Sequence, residues 1–145
     1  MDTLKVVREA VYGEIVRSGR APSLAALSES TGIAPGGCRA ALAALAEGQV
    51  LGLEDDGETI WLAPPFAARE TRYRVRSGEQ SWFAPCAWDS FGIAAALRRD
   101  VEFEVACSYS GVPLGCGVRA GAVYGEAVVH MLVPAARFWD NIGFT

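Results

Sequence analysis

The chain has 145 residues, about half of them apolar and a fifth charged, with a net charge of -4. This is enough for one ordinary domain or two small ones with a proper core, and it argues against disorder and against a polyanionic partner. Charges run through the apolar positions of the first nine residues, which excludes a signal peptide, and Gly, Pro or charge interrupts each apolar run before it could span a membrane. The expectation is a soluble, cytoplasmic protein.

Leu4 to Arg17 reads as an amphipathic helix, with Leu4, Val7, Val11 and Ile15 at helical spacing. Gly19 suits a left-handed cap, and Pro22 blocks continuation. A short second helix over residues 23–30 ends near Gly32. A third begins at Pro35 and runs through Cys38, Leu42 and Leu45 to Gly48. Residues 50–53 and 59–62, joined by Asp55-Asp56-Gly57, carry the signal of a β-hairpin. Three helices and a hairpin is the order of a winged helix-turn-helix, a common DNA-binding module.

The charges oppose that use. Residues 1–63 hold five Lys and Arg against nine Asp and Glu. The third helix has one basic residue, Arg39, and the hairpin tip is Glu54-Asp55-Asp56. Phosphate neutralisation supplies most non-specific DNA affinity, so a scaffold or lid is the better expectation, with no nucleic acid as partner.

Ala63-Pro64-Pro65-Phe66 marks a boundary between a winged-helix-like segment, 1–63, and a second unit, 64–145. Strands are expected over 72–76, 81–83, 101–107 and 126–133, a helix over 89–97, and a helical or irregular stretch over 134–141. The fold class is therefore α+β: a three-helix segment with a hairpin, then an antiparallel sheet with a helix carrying the site.

The chemistry gathers at Trp82-Phe83-Ala84-Pro85-Cys86-Ala87-Trp88-Asp89. Cys86 and Asp89 lie just under one helical turn apart and can face the same space. Residue types alone favour a buried thiol beside a capping aspartate over a reactive pair. A helix N-terminus would lower the Cys86 pKa, while an apolar pocket would let Asp89 keep its proton; a pair that trades a proton suits acid-base work on a thiolate-bound substrate. Without an export signal or a C-x-x-C pair, Cys38, Cys86, Cys107 and Cys116 are expected as reduced thiols, with no structural zinc. Cys38 reads as core and Cys107 as a buried structural thiol on its strand. Cys116 lies on a flexible Gly-Cys-Gly turn and fits either role. His130, the one imidazole, is placed in a strand, with nothing in its spacing to bring it to Cys86.

The run Phe83-Ala84-Pro85-Cys86-Ala87-Trp88-Asp89-Ser90-Phe91 resembles the first active-site motif of the organomercurial (alkylmercury) lyases. Val105-Ala106-Cys107-Ser108-Tyr109-Ser110-Gly111-Val112-Pro113 resembles the family's second cysteine strand, at a similar interval. A winged segment without a DNA-binding role precedes the catalytic domain in that family.

The resemblance implies protonolysis of the carbon-mercury bond of R-Hg(+) to R-H and Hg(II). Cys86 would be the mercury-binding thiolate, and Asp89 the proton carrier that stays near the metal, as the softness of mercury for sulfur suits. It implies a structural Cys107 and no cofactor. The partners would be an organomercurial small molecule as substrate and small thiols or mercuric reductase as Hg(II) acceptors. Two features depart from the pattern. Phe83 stands where some members carry tyrosine. The family's second catalytic cysteine follows a segment resembling 138–145 and would fall directly after Thr145, which leaves either a fragment or shortened homologue, or Cys116 in its place. The alternatives are a winged-helix regulator sensing a soft metal through Cys86 with Cys107 or Cys116, and a family member without lyase activity.

Overall fold

The computed structural model describes residues 2–145. Helix α1 (Thr3–Ser18) starts at Asp2, whose carboxylate accepts from the Leu4 and Lys5 backbone N–H groups, and ends on left-handed Gly19. Helix α2 (Leu24–Thr31) is capped by Ser23 and ends on Gly32, and α3 (Pro35–Glu47) starts on its proline. Val7, Val11 and Ile15 of α1 share a core with Leu27, Leu42 and Leu45. Each such side chain contributes roughly 1.5–3 kcal/mol by leaving water.

Next come β1 (Gly52–Leu53), β2 (Ile60–Ala63), β3 (Phe66–Ala67), β4 (Tyr73–Ser77) and β5 (Gln80–Ala84). Helix α4 (Ala87–Leu97), β6 (Val101–Ala106), β7 (Pro113–Arg119), β8 (Ala122–Tyr124) and a 3-10 helix (Ala135–Asn141) follow. The strands form one antiparallel sheet in the order β1-β2-β3-β5-β4-β6-β7-β8, running without a break across residue 63.

Register explains the two faces. Trp82, Val75, Phe103 and Cys116 are directly opposed across β5, β4, β6 and β7, and all four are buried. Onto this row pack α4, through the edge-on contact of Phe91 with Phe103, and α1, whose Ile15 and Val16 carbonyls both accept from the Trp82 indole N–H at 3.1 Å. The alternate residues form a charged lattice on the other face, where Arg76 meets Glu102 at 2.6 Å and Glu104 at 2.7 Å. Alternation of side chains along a strand produces this two-layer α+β arrangement.

Three expectations are corrected. Residues 126–133 form no strand; they run irregularly and mostly exposed, and β8 pairs with β7 alone, so its outer edge is left without them. Cys116 is in β7, not on a turn: a Cβ at Gly117 would meet the Val101 carbonyl oxygen, so that glycine permits close strand approach. Cys107 lies one residue past β6 and is half-buried, since pairing with β7 stops at Ala106 and Pro113.

Candidate active site

Strand β5 delivers the chain to Pro85, and Cys86 is the N-cap residue of α4 with extended backbone. Ser90, buried one turn on, holds that turn by donating to the Cys86 carbonyl at 3.4 Å. Asp89 then falls in the first turn of α4, on the side of Cys86. The Cys86 thiol donates to Asp89 Oδ2 at 3.3 Å. The spacing of three residues thus brings the two groups together, as expected from sequence.

The electrostatics differ in part. Backbone N–H groups of Asp89 and Trp88 do favour thiolate at Cys86, as a helix start should. Burial outweighs them, and with the neighbouring carboxylate it pushes the Cys86 pKa up to about 11. The expected lowering is therefore overturned: the resting group is a thiol. Burial also raises the pKa of Asp89, with the Cys86 thiol pulling slightly the other way. Burial thus shifts both groups towards their protonated forms, and the thiol proton lies on an existing hydrogen bond to Asp89.

Two cavities meet at Cys86. One, of about 170 Å³, is walled by Trp61, Leu62 and Pro64 on one side and by Phe138, Trp139 and Ile142 on the other, with Cys86 and Asp89 in its lining. The Trp61 ring is backed by the Arg69 guanidinium at 4.5 Å, itself paired with Glu54. The second, of about 160 Å³, also includes Cys86 but not Asp89; Tyr73, Trp88, His130 and Met131 border it.

Sequence reasoning missed Trp61 and His130 as neighbours of Cys86. Trp61 alternates in a hairpin strand like any other wall residue, and His130 arrives through irregular chain that leaves no periodicity. The paired aromatics Phe138-Trp139 were the one legible signal for the far wall.

The remaining thiols stand apart. Cys38 is fully buried between α2 and α3, as expected. Cys116 belongs to the buried row under α4, and burial raises its pKa. Cys107 closes a turn through backbone bonds to Gly111 and Val112, and the Ser110 hydroxyl and neighbouring N–H groups lower its pKa. Neither Cys107 nor Cys116 lines a cavity with Cys86. Among the described residues no three His, Cys, Asp or Glu side chains converge as a metal site. No helix among them is long and apolar enough to cross a membrane.

No curated protein matches the chain. Among solved structures, the mercury-bound form of MerB2 superposes with a TM-score of 0.64 at 26% identity. The match covers 85% of this chain and 58% of that one, so this chain spans less than two thirds of that relative's length. The family model for MerB, alkylmercury lyase, matches residues 66–145, which include β5, Cys86, Asp89 and the walls formed by Phe138 and Trp139. Since that match takes in more than half of the sequence, the chain belongs to the alkylmercury lyase family.

Proposed function

We propose that the protein cleaves the carbon-mercury bond of an organomercurial cation by protonolysis, with Cys86 and Asp89 as the catalytic residues. The observation that carries this reading is the thiol-to-carboxylate hydrogen bond of 3.3 Å in a cavity walled by aromatic rings. Mercury is soft and selects sulfur, and a thiol bound to such a metal gives up its proton whatever its resting pKa.

The steps balance on one proton. As sulfur takes R-Hg(+), the Cys86 proton moves to the Asp89 carboxylate. The resulting carboxylic acid gives it to the carbon, the carbon-mercury bond breaks, and R-H leaves. Hg(II) remains on the Cys86 sulfur with the Asp89 carboxylate beside it. A raised pKa suits Asp89 to this work, because it must hold the proton until the carbon accepts it. The first cavity suits an aryl group in size: an engineered protein cavity of about 150 Å³ accepts benzene.

The three helices and the hairpin serve as scaffold, with Trp61 as their contribution to the substrate wall. Arg39, the basic residue of α3, is held by Glu58 of the hairpin, which weakens the regulator alternative. The partners in this reading are small thiols or a mercuric reductase that accept Hg(II) in the cytoplasm, with no cofactor, nucleic acid or membrane.

The deciding experiment incubates the protein with an aryl-mercury compound and excess thiol and measures the released arene. Cys86→Ser is expected to abolish release and mercury uptake together; unchanged uptake and release in that variant would sink the proposal.

A further inference from the structure

Among the described residues, the cavity beside Asp89 has one cationic side chain in its lining, Arg69. Asp89 is its other charged side chain, and most of the wall between the two is aromatic or aliphatic, with Trp61, Phe138 and Trp139 foremost. Local pairing puts Arg69 there. The Ala68 N–H donates to the Trp61 carbonyl at 2.9 Å, one step past β3, and this brings the next residue back beside the Trp61 ring. The guanidinium lies 4.5 Å from the ring centroid, which restrains its fork. Its acidic neighbour is Glu54, at 3.5 Å between Nη1 and Oε1, with the two side chains 55% and 47% exposed. A pair that long and that exposed holds weakly, so the fork has N–H groups to offer another carboxylate.

The geometry points to Arg69 as a specificity-determining residue that selects organic groups bearing a carboxylate, a carboxyphenyl ring being the simplest. This rests on the function proposed above and names the substrate class of the same site. Carbon must lie near the proton carrier, so the ring runs from Cys86 and Asp89 along the aromatic walls. Arg69, more than half exposed, stands at the mouth, while Cys86 and Asp89 lie deeper and half-buried. The carboxylate therefore meets the fork without leaving water entirely, and the desolvation cost of a buried ion pair is avoided. Two parallel N–H···O bonds suit a planar carboxylate, and Glu54 gives way because it keeps its own access to solvent. The cationic end of the substrate meets sulfur and Asp89, and its anionic end meets Arg69. The bond-breaking steps are the same for either class of organic group; only the choice between them passes through Arg69.

The test is an internal competition. The protein, in excess 2-mercaptoethanol, receives equimolar phenylmercury and 4-carboxyphenylmercury, and the ratio of benzoate to benzene released gives the ratio of the two kcat/KM values. Arg69→Met keeps the length and the apolar contact with Trp61 but removes the charge. It should lower the benzoate-to-benzene ratio about three- to tenfold. Arg69→Lys should restore part of the ratio, and Glu54→Gln should raise it above the parent's. Added sodium chloride should lower the ratio in the parent and leave it flat in Arg69→Met. If Arg69 merely braces Trp61, both products fall together in Arg69→Met and the ratio holds. A ratio that holds in this variant overturns the selection while the functional reading stands. Release of neither arene by the parent, or release that survives Cys86→Ser, overturns that reading and the selection with it.

Discussion

Gly92 of α4 lies so close to Pro65 that a Cβ placed on it would sit 2.9 Å from the proline Cβ. The helix that carries Asp89 therefore rests against the link between β2 and β3, and the missing side chain allows that approach. Gly→Ala within a helix ordinarily stabilises by about 0.5–1 kcal/mol. Here the proline ring cannot swing away, so Gly92→Ala is expected to destabilise by about 1–3 kcal/mol through forced displacement. Urea unfolding checks the sign, and a gain in stability would contradict the close approach.

Asp89→Asn should separate the two duties of the site. Uptake of Hg(II) on the Cys86 sulfur should persist, while arene release should fall by about 10²–10⁴-fold for lack of a proton carrier. Stability should move the other way. Burial raises the Asp89 pKa above its ordinary 3.8, so its charge disfavours the folded state once pH rises past that value. The asparagine variant is expected to be more stable than the parent at pH 7, with the difference fading as pH falls towards 3.8. Paired thermal melts across that range measure it.

The cysteines should modify in a fixed order. Cys107 is half-buried with a lowered pKa, whereas Cys86 is pushed up to about 11. Iodoacetamide at pH 8, followed by peptide mass mapping, is expected to label Cys107 first, since thiolate is the nucleophile. Labelling of Cys86 should climb as pH approaches 11. The same shift makes Cys86 a stabilising thiol below its ordinary 9.0, and that contribution is lost as pH rises from 9.0 towards 11. Prior labelling of Cys86 at pH 8 would contradict its burial.

Tyr12 anchors α1 to the chain beside the site: its hydroxyl lies 3.2 Å from the Val50 carbonyl and 3.0 Å from that of Pro64. Tyr12→Phe is expected to cost about 1 kcal/mol, the net worth of one such bond, in chemical denaturation. An unchanged midpoint would mean that the carbonyls find water equally well.

Much of this was legible because it is local. The row Val7, Val11, Ile15, the caps at Gly19 and Gly32, and the Asp-Gly turn each depend on neighbours within a few residues. So does the Cys86–Asp89 spacing, which became contact as soon as α4 formed. What escaped was decided at a distance. The apolar run of 126–133 promised a strand, but a strand needs a partner that composition cannot supply. The glycines around Cys116 looked like a turn, although Gly117 serves a neighbouring backbone. The Cys86 pKa turned on how much protein surrounds the thiol, and those surroundings include residues far along the chain, Phe138 and Thr145 among them.

The position of Trp61 has a consequence for how such a protein diversifies. It stands in β2, before the family's matched residues begin at position 66, yet it walls the cavity containing Cys86 and Asp89. Under the proposed function, choice of organic group can therefore drift in the hairpin while the bond-breaking pair stays fixed. Grafting hairpins between relatives would retune selectivity and leave the reaction itself intact.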